Sequence, residues 1–171
     1  MKTALKVIGW IALVLVGVAL LLFGAIRIIF SAESNSLSEK EIVALVEENE
    51  PLLRDAVTEL SESGYTGIIN DENCGEFSDT IGKVLNIEGL QYIDVDENGR
   101  IEFDCGGSGL PPASQYYGFY YSADDEPENI MSGEPLTQDG KNRWMWQESD
   151  GDNTFSTRKI TDNFYFYVMS F

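Results

Sequence analysis

The chain has 171 residues, of which 43% are hydrophobic and 23% charged, so it can bury one modest core but not two. Its formal charge of -18 comes from 11 basic and 29 acidic residues, and such a surface repels phosphate backbones. We therefore expect no nucleic-acid partner. Histidine is absent and only two cysteines are present, which excludes Cys/His zinc sites and histidine-based catalysis. The composition predicts a non-enzymatic protein with no catalytic residues, no metal and no cofactor.

The N-terminal segment has the length and composition of a membrane anchor. Residues 7–26 carry no charge, and as a helix rising 1.5 Å per residue they would span about 30 Å, the thickness of the bilayer's hydrocarbon core. We predict a short tail over residues 1–6 and a transmembrane helix over residues 7–30, with the lipid bilayer as its partner. The alternative is a cleaved secretory signal. The apolar run is too long for one, and Phe30 stands where a small residue should precede the candidate cleavage site at Ala32.

The charges that flank the apolar run predict its orientation. Lys2 and Lys6 precede it, whereas only Arg27 stands at its far end, so the positive-inside rule keeps the N-terminus in the cytoplasm. The chain is then a single-pass protein of the cell membrane, with a linker over residues 31–37 and an acidic extracytoplasmic domain over residues 38–171. An unidentified protein or another envelope component is the expected partner of that domain.

A long amphipathic helix is predicted after the linker. Ser38 and Glu41 have the spacing of a capping box at its start, and Gly64 is a typical residue for its end. Pro51 predicts a kink or a restart in the middle. Apolar residues recur on one side at about 100° per residue and require a sheet or another partner to cover them: Ile42, Leu45, Val46, Leu52, Leu53, Ala56, Val57 and Leu60.

The remaining sequence is rich in strand-forming residues. The Asn98-Gly99 turn predicts a hairpin between residues 91–95 and 101–105, and a short helix is expected before it, over residues 77–85. The glycines of residues 106–109 predict a loop. Aromatic and β-branched residues favour further strands at residues 116–121, 142–147, 154–160 and 164–171. We expect an α+β fold, in which an N-terminal transmembrane helix is followed by one long helix packed on an antiparallel β-sheet.

Cys74 and Cys105 are the only cysteines. An even pair in an exported domain is most simply a disulfide, and closing this loop would stabilise the fold by roughly 3–4 kcal/mol on the chain-entropy model. The alternative is a pair of buried free thiols, which a reversed membrane topology would favour.

Two ligand-binding alternatives stay open. Residues 94–101 resemble the first half of an EF-hand calcium loop, but the final bidentate ligand would fall on Cys105 and the flanks are typical of strands. Aromatic side chains at Trp144 and Trp146, with Tyr116 and Tyr120, could instead stack on sugars, although rings in strands are more often core residues. The domain would then be a calcium- or glycan-binding surface module.

The layout of a hydrophobic N-terminal helix and a sheet is similar to that of type IV pilins, but residues 1–30 contain no glutamate of the kind that pilin processing requires. A pilin-like structural subunit is therefore the second alternative. The strings F-D-C-G-G-S-G-L at residues 103–110 and Y-Y-G-F-Y-Y-S-A-D-D-E-P at residues 116–127 resemble small uncharacterised single-pass surface proteins of Gram-positive bacteria. That resemblance covers most of the exported part and implies no activity, cofactor or site. Our prediction is a domain that binds or scaffolds at the cell envelope.

Overall fold

A computed structural model describes residues 37–110 and 113–171. Within these residues, eight strands form one antiparallel sheet, and two α-helices and a short 3-10 helix at Cys74–Glu76 accompany it. The helices are α1 (Glu39–Ser63) and α2 (Asp79–Leu85). The strands are β1 (Gly67–Ile69), β2 (Tyr92–Val95), β3 (Ile101–Leu110), β4 (Ala113–Tyr121), β5 (Thr137–Gln138), β6 (Arg143–Gln147), β7 (Thr154–Thr161) and β8 (Phe164–Ser170).

The predicted fold class is wrong. The prediction of an α+β domain organised by one long helix overstates the role of the helix. Most of the described structure is an eight-stranded antiparallel sheet with two helices. The aromatic strands also build a core of their own on the opposite face of the sheet from the helices. The predicted transmembrane helix over residues 7–30 lies outside the described residues. None of the helices within residues 37–110 and 113–171 is long and apolar enough to cross a membrane.

Helix α1 begins and ends where the sequence predicts. The Ser38 backbone amide and hydroxyl donate to Glu41 Oε2 at 2.8 and 2.6 Å, and the Glu41 amide donates back to the Ser38 hydroxyl, which completes the capping box. Gly64 ends the helix with a φ of 64°, in the left-handed region that glycine adopts without strain. The restart predicted as one alternative at Pro51 does not occur, since the helix runs through this residue without interruption.

The strand order in the sheet is β1-β2-β3-β4-β8-β7-β6-β5. The C-terminal strand β8 therefore lies in the middle of the sheet, between β4 and β7. The hairpin predicted around Asn98-Gly99 is confirmed by the pairing of Val95 with Ile101 and of Tyr92 with Asp104. The loop predicted at residues 106–109 is wrong, because these glycines belong to β3 and pair with β4 from Gly107 to Leu110.

The two faces of the sheet bury different side chains. The face toward the helices is aliphatic and phenylalanine-rich, with Phe103 stacked on Phe119 at 4.6 Å between ring centroids. The opposite face carries a smaller aromatic core of Tyr120, Phe155, Tyr165 and Tyr167. Because successive strand residues point to opposite faces, the acidic Glu102 alternates with buried Ile101 and Phe103 and lies on the side away from the helices.

Candidate ligand-binding site

The four aromatic residues of the sugar-stacking alternative do not share one exposed surface. Tyr120 is fully buried in the aromatic core, and Trp144 and Trp146 pack against that core. The Trp146 indole N–H donates to Glu134 Oε2 at 2.7 Å, which connects the ring to the loop between β4 and β5. Only Tyr116 is well exposed, at 43%. Three of the four rings therefore serve packing, which is the commoner role of aromatic residues in strands.

The hairpin that resembles a calcium loop uses its acidic side chains for the turn itself. Asp96 Oδ1 accepts hydrogen bonds from the amides of Asn98 and Arg100 at 2.8 and 2.9 Å, and Oδ2 lies 3.2 Å from the Arg100 guanidinium. Burial alone would raise the pKa of Asp96, but these partners hold it below its usual value. Within the described part of the chain, no group of three or more Cys, Asp or Glu side chains is placed to hold a metal ion.

The predicted disulfide between Cys74 and Cys105 is not present in the structure, where both cysteines are free. Cys105 is buried within the helix-side core, and the half-buried Cys74 packs against the same core. Burial, and then the charge of Asp104, raise the pKa of the Cys105 thiol well above its usual value. Burial thus favours the protonated form of this thiol, and the disulfide stays a prediction.

A cavity of about 330 Å³ lies on the sheet face away from the helices, beside the aromatic core. Its walls come from β2, β3, β4 and β8 and from the residue that follows β8, and they combine aromatic rings with two carboxyl groups. The lining residues are Tyr92, Glu102, Asp104, Ser114, Tyr116, Tyr167, Met169 and Phe171. A concave site of this size, mainly apolar and with a few polar groups, has the properties of a small-molecule pocket.

Glu102 supplies the first carboxyl group. It lies on β3 opposite Tyr120 of β4, and its Oε1 accepts a hydrogen bond from Arg100 Nε at 2.9 Å. Burial, only partly offset by Arg100 and reinforced by Asp94 and Asp96, raises the pKa of Glu102 to about 7. The side chain thus changes charge near neutral pH, unlike an ordinary surface glutamate.

Asp104 supplies the second carboxyl group, two residues further along the same strand face, and it is only 4% exposed. The ladder between β3 and β4 is irregular between Asp104 and Gly107, where Gly106 adopts a φ of 104° and its amide donates to Asp104 Oδ1 at 2.8 Å. Burial raises the pKa of Asp104, although the Gly106 amide and the Tyr92 hydroxyl partly oppose the shift. The irregularity therefore fixes this carboxyl group at the cavity.

Tyr167 of β8 reaches the carboxyl groups across β4. Gly118 separates it from Asp104 in the sheet, and a Cβ atom at Gly118 would lie 2.8 Å from the Tyr167 hydroxyl and 2.3 Å from the Phe103 carbonyl oxygen. Only glycine leaves room for the ring. Tyr167 is 2% exposed, and its hydroxyl makes no hydrogen bond to any described residue. Burial and then the Asp104 charge raise its pKa well above the usual value, so the hydroxyl is a neutral donor that is free to bind a ligand.

The rim of the cavity is formed by two exposed rings. Tyr116 and Phe171 are each 43% exposed and contact each other edge to face, with 5.8 Å between their ring centroids. They are two of the four large hydrophobic side chains that are exposed in the described structure, the others being Ile68 and Met145. Aromatic rings left in water beside a cavity are typical of a binding site.

The loop between β4 and β5 closes the aromatic core next to the cavity. The buried Tyr120 hydroxyl accepts from the Glu128 amide at 2.9 Å and lies 3.1 Å from the Thr157 hydroxyl, which donates to the Phe166 carbonyl at 2.9 Å. Burial raises the pKa of Tyr120 to about 12, against the effect of these hydrogen bonds. This loop and the aromatic core fill the neighbouring part of the face, while the cavity is left open to solvent.

Comparisons with family models, with curated proteins and with solved structures find no significant match for this chain. The fold and the cavity define it only as an antiparallel-sheet domain with an aromatic, acidic pocket. The resemblance to small surface proteins of Gram-positive bacteria stays a prediction.

Sequence reasoning missed the cavity, although part of its signal was visible. In β3 the acidic Glu102 and Asp104 alternate with the apolar Ile101, Phe103 and Cys105, which places both carboxyl groups on one face of a strand. The contributions of Tyr167 and Phe171 depend on the position of β8 beside β4, and no local pattern indicates that pairing.

Proposed function

We propose that this domain is a non-enzymatic binding module of the cell envelope, and that the cavity beside Glu102 and Asp104 is its ligand site. The observation that carries the proposal is the open cavity, in which two strand-held carboxyl groups and a free tyrosine hydroxyl lie beside exposed rings. A binding role fits these groups better than catalysis. Both carboxyl groups already accept hydrogen bonds from the protein, and the chain has no histidine to serve as a general base.

The methionine methyl groups offer a direct test of ligand binding. Met169 lines the cavity, whereas Met145 is exposed elsewhere on the sheet and serves as an internal control. We expect that a fragment set containing neutral, anionic and cationic aromatic molecules includes members that shift the ¹³C-methyl resonance of Met169 in the full-length chain, with Met145 unchanged. If no member shifts Met169, or if every active member shifts both methyl groups equally, the cavity is not a ligand site.

The envelope location rests on the uncharged run of residues 7–26 and on the acidic character of the rest of the chain. Protease added to intact cells is expected to remove the acidic domain and leave a short membrane-bound fragment, while a cytoplasmic marker protein stays whole. Survival of the domain under conditions that digest a known surface protein would contradict this location.

A further inference from the structure

The charges around the cavity are unbalanced. Its eight lining residues include two acids and no base, and Asp94 adds a third carboxylate that acts on Glu102. Among the residues that the structure describes, Arg100 is the basic side chain that pairs with Glu102, and it also pairs with Asp96 at 3.2 Å. Asp104 has an amide and a tyrosine hydroxyl as partners, and no basic side chain appears among the groups that act on it.

Carboxylates held in a partly desolvated site without enough positive charge are unstable as anions. In this protein burial raises the pKa of both Glu102 and Asp104, so these carboxyl groups retain their protons to a higher pH than usual. A ligand that carried a positive charge would remove that instability, because it would supply the missing counter-charge at short range. A neutral sugar would not do so, and an anion would increase the repulsion.

The shape of the site restricts the cation further. The carboxyl groups lie on the sheet, whereas the exposed rings of Tyr116 and Phe171 stand at the rim. A ligand that filled both regions would have a charged head and an apolar body. Aromatic rings favour such ligands, because they attract cations through their faces and bury apolar groups. A volume of about 330 Å³ is at the lower end of the range for small-molecule pockets.

We propose that the cavity binds a small organic cation, a protonated amine on a short aromatic or apolar group, with the ammonium at Glu102 and Asp104 and the apolar part against Tyr116 and Phe171. This inference rests on the proposed function and specifies its ligand class. Tyr167 also lines the cavity, and its raised pKa keeps the hydroxyl neutral, so it takes part through its dipole and not through a charge. Binding is then favoured when the carboxyl groups are ionised.

Three small aromatic probes of different charge separate charge from hydrophobic contact: benzylammonium, benzyl alcohol and benzoate. Titrations of the full-length chain at pH 8, followed by the Met169 methyl resonance, are expected to give at least about tenfold tighter binding for benzylammonium than for benzyl alcohol, and no binding for benzoate. Raising the salt concentration is expected to weaken benzylammonium binding and to leave benzyl alcohol unaffected.

Variants test whether the carboxyl groups of the cavity supply the negative charge that binds benzylammonium. Glu102→Gln and Asp104→Asn are each expected to weaken benzylammonium binding about tenfold. Glu47→Gln removes the same charge from an exposed position on α1 and should leave binding unchanged. Should Asp104→Asn fail to fold, the comparison of Glu102→Gln with Glu47→Gln decides the matter alone.

The outcomes also separate this inference from the proposed function. Equal binding of benzyl alcohol and benzylammonium, or equal effects of Glu102→Gln and Glu47→Gln, would contradict the proposal that the ligand is a cation. The cavity would still be a binding site. If none of the three probes shifts Met169 and no fragment of the wider set does so, the binding function itself fails.

Discussion

Replacing Phe119 with alanine is expected to lower the free energy of unfolding by about 3–5 kcal/mol, the usual cost of truncating a buried phenylalanine. Phe119 is fully buried at the centre of the helix-side core. Its ring stacks on Phe103 at 4.6 Å and contacts Phe164 at 6.2 Å, so it joins β3, β4 and β8. Truncation would leave a void between three strands and the helices, and the surrounding rings could close it only in part.

Urea denaturation of the full-length chain, followed by tyrosine and tryptophan fluorescence, measures this effect. Ile68→Ala provides the control, because that side chain is 49% exposed and its removal should change the free energy by no more than about 0.5 kcal/mol. A loss below 1 kcal/mol for Phe119→Ala would mean that the strand order, or the burial of this ring, has been described wrongly.

Features of the fold that depend on neighbouring residues could be predicted from the sequence. The capping box at Ser38 and Glu41 and the hairpin at Asn98-Gly99 each depend on a few consecutive residues, whose side chains satisfy backbone groups within the same turn. No restart occurs at Pro51, because a proline within a helix removes one hydrogen bond but does not always end the helix, and the packing of α1 on both sides of it outweighs that loss.

Features that depend on distant residues could not be predicted. β8 pairs with β4 and with β7, so its position is determined by contacts across some fifty residues of sequence as well as by a neighbouring strand. The glycines after Cys105 look like a loop in isolation, yet they continue β3 because β4 supplies their hydrogen-bond partners. The correct fold class needed this strand order, since it gives the sheet a second core away from the helices.

The candidate site shows the same limit. The alternation of Glu102 and Asp104 with apolar neighbours can be recognised in the sequence. The need for glycine at position 118 cannot, because it arises only from the Tyr167 ring that packs over this residue from the neighbouring strand. Acidic residues are so frequent in this chain that two of them on one strand do not stand out from a solvated face. Burial distinguishes these two, and burial is a property of the assembled sheet.

Replacing Glu102 with glutamine is expected to remove a large part of the pH dependence of stability between about pH 4.5 and 8. In the folded protein the pKa of Glu102 is raised to about 7, mainly by burial, whereas an unfolded glutamate has a pKa of about 4.3. Between these values the folded state keeps a proton that the unfolded state has lost. Stability from this group is therefore fully present below the unfolded pKa and is lost as the pH rises through the folded pKa, by about 2–4 kcal/mol in all.

Urea midpoints at pH 4.5, 6 and 8 measure this dependence in the wild type, in Glu102→Gln and in the exposed control Glu47→Gln. Asp104 has a raised pKa for the same reason and contributes in the same direction, so Glu102→Gln should flatten the curve without abolishing its slope. The control removes one charge from a strongly acidic chain and reports the general repulsion, which also falls in acid. Parallel curves for the two variants would show that Glu102 ionises as an ordinary surface residue, and the charge imbalance at the cavity would then lose its main energetic support.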